Sequence, residues 1–410
     1  MKQNLRADAE AIVRSAIEAV KPDAAVERAL RALTFPGRVF LVAAGKAAWQ
    51  MAAAALQHLS VPLSGGVVVT KYDHVQGDLP GVICYEAGHP VPDENSFLGT
   101  QAALDLTANL KEDDTVLFLL SGGGSALFEK PCVPGEVLQD VTKQLLACGA
   151  DITEMNTIRK RLSQVKGGRF AQWCAPATVE AIVLSDVLGD PLDMIASGPA
   201  AADPTTREQA FAIVSKYNLQ LSDAVRSCLE QETPKQLDNV HSQVIGSVRE
   251  LCRAAADTAR SLGYEPIYLT DRLCCEARDA GSFMASILRS HAADGKKTAW
   301  LAGGETVVHL TGTGLGGRNQ ELALSAAACL DGLDNVCLIS VGSDGTDGPT
   351  DAAGGYADGD TLSELQEKGL SLHAILADND AYHALQAVGN LIVTGPTGTN
   401  VNDVAVGLIG

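Results

Sequence analysis

Nowhere in this chain do two cysteines form a CxxC pair. The ten cysteines are scattered and Cys274 and Cys275 are adjacent, so in 410 residues they read as reduced core thiols of a cytoplasmic protein. A disulfide frame or a zinc site would need a different spacing. No apolar run reaches the ~20 residues of a membrane span. The amphipathic stretch MKQNLRADAEAIVRSAIEAV lacks an unbroken apolar centre and is not read as a signal peptide. Positive charge is scarce: 31 Lys and Arg face 50 Asp and Glu, for a net charge of −19. A field of that sign repels nucleic-acid phosphates and anionic lipid, so neither is an expected partner, and an anionic substrate needs a local cluster of cations or backbone N–H groups. Internal repeats are missing, as is the phosphate-loop pattern GxxxxGK[ST].

What the chain does have is apolar runs followed by glycine. The apolar fraction is 46% and there are 40 glycines, clustered after the runs rather than in a low-complexity tract. The length exceeds one ordinary core. The polar stretch 231–239, with Pro234, marks a boundary between domains 1–235 and 240–410. Strands are expected at Val39–Val42, Val67–Thr70, Val82–Tyr85, Val116–Leu120 and Val179–Leu184, alternating with helices over 93–110, 135–148 and 152–164. Strands that are apolar throughout argue a parallel sheet covered on both faces. The second half adds strands at Gln243–Ile245, Pro266–Leu269, Thr298–Leu301, Val307–Leu310, Val336–Ser340 and Leu391–Thr394, with helices over 248–262, 275–293 and 319–330. The fold class is α/β. Ligands of such sheets bind at the carboxyl ends of strands, where these glycine turns fall.

In AAGKAA, Lys46 follows a strand and a glycine turn at a helix start, where it suits phosphate or carboxylate better than solvent. SGGGSAL places Ser121, Gly122, Gly123, Gly124 and Ser125 after an apolar strand, a turn able to cradle phosphate. MNTIRKRLSQVKGGRF is the densest basic patch, with Asn156, Arg159, Lys160, Arg161, Lys166 and Arg169, and reads equally as a polyphosphate platform or a solvated helix face. SDVLGD puts Asp186 and Asp190 at a strand end, a pair suited to Mg²⁺ or, for one of them, to orienting a hydroxyl; ordinary turn chemistry is the alternative. Gly312, Gly314 and Gly317 spell GxGxxG, the dinucleotide fingerprint, with Asp344 beyond the following strand. Against a dinucleotide stands Arg318, whose planar fork suits a carboxylate or phosphoryl group. Asp344, Asp347 and Asp351 are open to a magnesium or hydroxyl contact, with a structural acidic turn an equal reading for Asp347 and Asp351; Asn400 and Asp403 read as turn residues or ligands, and His74 and His89 receive no role.

Taken in order, AAGKAA, TKYDH, EAGHPVPDENS, SGGGSAL, SDVLGD, IASGP, GGET, GTGLGGRNQE, GSDGTDGPTDAAG and TGPTGTNVND resemble the ATP-dependent glycerate 2-kinases with a MOFRL C-terminal domain. That resemblance implies a Rossmann-like parallel-sheet N-terminal domain, a smaller α/β C-terminal domain, an active site in the cleft and formation of 2-phosphoglycerate from D-glycerate and ATP. The family's functional lysine and arginine fall on Lys46 and Arg318, one holding the glycerate carboxylate and the other the moving phosphoryl group, in an order left open. Asp186 joins them as a catalytic candidate. Phosphate and substrate contacts are expected from residues 121–125, Asn156, Lys166, Glu305 and Asn319, with Mg²⁺ on Asp186 or Asp190. A homodimer is left open beside a monomer. Asp73 stands where the family pattern leads one to expect glycine, and an NAD(P)H-dependent hydroxypyruvate reductase is the competing activity.

Overall fold

A computed structural model describes residues 2–410. The chain divides into two compact units, Pro22–Ile245 and the residues up to Lys21 together with Gly246–Gly410. The first unit holds strands β1 (Val39–Ala44), β2 (Leu63–Lys71), β3 (Val82–Ala87), β4 (Thr115–Leu120), β5 (Thr178–Leu184) and β6 (Val240–Gly246) in one sheet of order β3-β2-β1-β4-β5-β6. Pairing is parallel along β3, β2, β1, β4 and β5. β1 and β4 are buried at every position, which is why their sequences run apolar without alternation. Strand order reverses between β1 and β4, the switch point at which doubly wound sheets open a crevice at their carboxyl ends.

In the second unit β7 (Glu265–Leu273), β8 (Thr298–Gly304), β9 (Val336–Gly342), β10 (Gly354–Asp358), β11 (Leu391–Ile392) and β12 (Asp403–Ile409) form a sheet of order β11-β10-β9-β12-β8-β7. β12 lies antiparallel between β8 and β9, so this sheet is mixed. Helices Ala277–His291 and Arg318–Leu330 cover it, and Gly281 permits their close approach, since a side chain there would meet the Leu322 carbonyl.

The unit boundaries depart from the expected 1–235 and 240–410. β6 is an edge strand of the first sheet, so that unit runs on to Ile245. The first helix, Lys2–Ala19, buries Leu5, Ala9, Ile12, Val13, Ala16 and Ile17 on one stripe and packs on helix Val248–Ser261. Ser15 meets Thr258, and Asp8 accepts from the Tyr264 hydroxyl at 2.7 Å. The strand expected at Val307–Leu310 is absent: Val307 makes an isolated bridge to Glu276 within an extended loop. Among the described residues no helix is long and apolar enough to cross a membrane.

Candidate active site

At the switch point the turns after β1 and β4 are locked together. The Lys46 amide donates to the Gly122 carbonyl (2.8 Å), the Ala47 amide to Ser121 Oγ (3.0 Å) and the Ser121 amide to the Ala44 carbonyl (3.0 Å). Gly45 sits at φ 125° directly against Ser121, where a side chain has neither the conformation nor the room. Ser121 is buried and joins the two turns, a positioning residue rather than a surface one.

Around this junction several candidates converge. A methyl group on Gly122 would overlap the Asp186 carboxylate, so that carboxylate lies against the turn. Gly123 takes φ 86°, and a methyl group there would meet the His89 ring at 3.0 Å and Lys46 Cγ at 3.2 Å. One on Gly124 would meet Ala196 Cβ at 2.7 Å. Ser125 Oγ pairs with Ser197 Oγ (2.9 Å), which donates to Asn156 Oδ1 (3.1 Å), so buried Asn156 supports the turn through Ser197. Asp190, Ala196 and Ser197 all lie in the left-handed region, at φ 56°, 51° and 61°. That concentration of costly backbone beside a glycine turn is characteristic of a functional loop. Asp190 Oδ1 is buried without a hydrogen-bond partner among the described residues.

The basic patch of 155–170 turns out to be neither a platform nor a solvated face. Lys160 is buried between Asp193 (3.1 Å) and Asp203 (3.2 Å), and Arg161 is buried against Thr205 and Glu232. Burial opposes ionisation of Asp203, but Lys160 and the Thr233 and Thr205 hydrogen bonds hold its carboxyl below the usual range. Lys166, expected to contact substrate, is instead fully buried, donating to Glu129 (2.6 Å) and the Phe128 carbonyl (3.1 Å). Burial pushes its ammonium down to about 8 despite Glu129. Arg159 differs from these. It has no carboxylate partner among the described residues, donates to the Ser125 carbonyl at 3.3 Å, and keeps a buried Nε without an acceptor. It was visible in the sequence only as one basic residue among five. Lys46 likewise has no carboxylate partner among the described residues, despite the excess of acid in the chain.

In the second unit Arg318 begins helix Arg318–Leu330. Its Nε and Nη2 grip Asp403 at 2.6 and 3.0 Å, and Nη1 reaches Glu305 at 3.1 Å. Burial raises the Asp403 carboxyl, Arg318 pulling the other way. The helix N-terminus is itself occupied: Asp347 accepts from the Asn319 amide (3.1 Å) and the Gln320 amide (2.8 Å), and burial pushes its carboxyl up to about 6. Asn319 is buried, receiving Ser340 Oγ at 2.6 Å, and so braces the helix start under Arg318.

The GxGxxG glycines do not form a dinucleotide turn. Residues 305–317 are a loop, and its Thr311 and Gly312 amides donate to Asn379 Oδ1, Thr313 to Asp378, Gly314 to the Asp378 carbonyl and Leu315 to Asp380. Side chains at Gly312 or Gly314 would collide with the Asp378 backbone. These glycines serve loop packing, and Asp344 caps its own turn at Thr346. Asp73 adopts φ 65°, so it keeps the left-handed conformation that glycine would supply, one that aspartate tolerates.

The family described as a domain of unknown function, DUF4147, matches residues 8–230, and the MOFRL family matches residues 298–403. The chain is 52% identical to a D-glycerate 2-kinase of Thermotoga maritima, covering 99% of both chains. It is 40% identical to a glycerate 2-kinase of Pyrococcus horikoshii, over 97% of this chain and 96% of that one. A crystal structure of the Thermotoga maritima glycerate kinase superposes with a TM-score of 0.97 at 52% identity, covering 100% of each chain.

Proposed function

This chain belongs to the glycerate 2-kinase family, and from that premise we propose that it transfers the γ-phosphoryl group of ATP to the 2-hydroxyl of D-glycerate, giving 2-phosphoglycerate and ADP. The observation that carries the reading is Lys46, a half-buried cation without a carboxylate partner among the described residues, at the switch point of a parallel sheet and beside a glycine turn. In a strongly acidic chain such a charge is free for an anion.

Phosphoryl transfer asks mainly for positioning and charge stabilisation. Lys46 and Arg159 supply charge beside the 121–125 turn, while Ser121, Asn156 and Ser197 hold that turn in shape. Asp186, against Gly122, and Asp190, with its orphaned oxygen, are hard oxygen donors of the kind Mg²⁺ takes. No group of three or more His, Cys, Asp or Glu stands at metal-binding geometry among the described residues, so phosphate oxygens and water would complete the shell. When bound, Mg²⁺ would neutralise charge on the phosphate oxygens. Arg318, in the second unit, is the cation that the family resemblance assigns to the same reaction, and Asp403 and Asn319 orient it. Its more exposed contact, Glu305, is the one an incoming anion would displace.

The reductase alternative is not favoured, because the amides of its glycine loop are already engaged by residues 378–380. Free cysteines throughout the chain accord with a cytoplasmic setting. Calorimetry with Mg-ATP and with NADH tests the cofactor: Mg-ATP should bind and NADH should not. Tight NADH binding without Mg-ATP binding would refute the proposal.

A further inference from the structure

His89 lies in the loop after β3 and has no part in the account above. Its ring edge, Cδ2 and Nε2, lies 3.0 and 3.1 Å from where a Gly123 side chain would begin, and Lys46 Cγ lies 3.2 Å from the same point. The imidazole therefore meets the phosphate turn and the unpaired lysine at one place. Among the described residues neither ring nitrogen has a hydrogen-bond partner. The other histidines that make side-chain contacts differ: His74 Nδ1 is engaged by the Lys46 carbonyl (2.8 Å), and His58, His241, His291 and His383 face carboxylates. A half-buried imidazole left open beside a reaction centre, with no carboxylate holding its proton, has the chemistry of a base.

We propose that His89, through Nε2, accepts the proton of the D-glycerate 2-hydroxyl as that oxygen attacks the γ-phosphorus of ATP. The inference rests on the proposed function. The O–H bond breaks toward nitrogen, the new P–O bond forms, the bond from the γ-phosphorus to the ADP oxygen breaks, and ADP leaves. The imidazolium returns its proton to water after product departs, and nothing is oxidised or reduced. The groups acting on the ring are burial, then Lys46 from the β1 turn, and Lys71 and His74 from the end of β2, and all of them lower its basicity. The acids nearest in sequence are Glu86, which accepts from the His74 and Val75 amides, and Asp93, which faces Gly88 and is held by Tyr72 and Ser96. The ring is thus neutral at pH 7, as a proton acceptor must be, and protonation below its depressed range removes it.

The test begins with the wild-type chain, D-glycerate and Mg-ATP. A wild type that makes no phosphoglycerate overturns the proposed function and the inference with it; an active wild type isolates the histidine. In His89→Gln, kcat should fall ~10²–10⁴-fold, the contribution usual for a positioned base, with KM for ATP little changed. The acid limb of the kcat/KM profile should disappear. Imidazole added to His89→Ala should restore part of the rate, a rescue that a structural role would not give. Lys71→Met, outside the machinery, should move the wild-type acid limb upward in pH by removing one cation near the ring, and it keeps the test alive should the His89 variants fold poorly. An unchanged acid limb in His89→Gln, a loss confined to KM, or an unmoved limb in Lys71→Met would overturn the assignment.

Discussion

Replacing Arg318 by alanine should cost stability as well as rate, and the two effects can be separated. Arg318 holds Asp403 through two nitrogens, and the Asp403 side chain is 9% exposed while Arg318 is 35% exposed. Truncation leaves a buried carboxylate without its counter-charge. Breaking a fully buried pair costs about 3–5 kcal/mol, and the partial exposure of Arg318 reduces this to about 2–3 kcal/mol. In a unit of this size that is a drop in Tm of roughly 4–10 °C. Burial already raises the Asp403 carboxyl, and loss of Arg318 raises it further. A carboxyl raised in the folded state destabilises at high pH and is relieved by protonation, so the Tm gap to wild type should narrow as pH falls from 7 toward 5. Kinetically, kcat should fall by up to ~10³–10⁵-fold if Arg318 stabilises the moving phosphoryl group. If it holds the glycerate carboxylate, KM for glycerate rises instead. Scanning calorimetry and steady-state kinetics on Arg318→Ala and on Arg318→Ala with Asp403→Asn provide the separation. The double variant should regain most of the Tm and none of the rate. Near-wild-type kcat and KM in Arg318→Ala, with only the Tm loss, would reduce Arg318 to a structural residue.

Three further outcomes follow from individual contacts. Gly123→Ala places a methyl against His89 and Lys46 and strains a left-handed position, so kcat/KM should drop by about 10²-fold or more; wild-type kinetics would mean that this turn is not at the reaction centre. Lys166→Met orphans the buried Glu129 and should cost ~3–5 kcal/mol in chemical unfolding while leaving KM for ATP and glycerate unchanged; a raised KM with intact stability would return Lys166 to substrate binding. Asp347, its carboxyl pushed up to about 6, contributes stability that is fully present below the ordinary carboxyl range and lost as pH rises through 6. Asp347→Asn should flatten that component, seen as a wild-type-minus-variant Tm difference that changes up to pH about 6 and is constant above it; a difference independent of pH would contradict the buried-carboxyl reading.

Much of this was legible in the sequence for one physical reason: strands buried on both faces show uninterrupted apolar runs. β1, β4, β5 and β9 could be located from composition alone, and so could the glycine turns at their ends. Lys46 and the 121–125 turn stood out because each follows such a run. Partnership was not legible. Lys160, Arg161 and Lys166 look like a basic patch because Asp193, Asp203, Glu232 and Glu129, which neutralise them, lie far along the chain. The same patch hid Arg159, which has no carboxylate partner among the described residues and donates to the Ser125 carbonyl of the glycine turn. His89 looked like an ordinary loop histidine because Gly123, which brings it to Lys46, follows a different strand. Gly312, Gly314 and Gly317 misled in the opposite direction, since spacing cannot tell a loop packed on residues 378–380 from one open to pyrophosphate. The short helices Thr361–Glu367, Leu372–Asp378 and Ala381–Ala387 left too few turns for a periodic signal.

If the β1 and β4 turns form a phosphoryl-transfer centre charged by Lys46, removing that charge must stop the transfer. Phosphorus NMR of the chain incubated with D-glycerate and Mg-ATP, run beside a folded Lys46→Met variant, tests it most directly. The wild type should give 2-phosphoglycerate and ADP in equal amounts, with product formation by Lys46→Met slowed by orders of magnitude. Equal rates from the two proteins, or ATP left intact by the wild type, would contradict it.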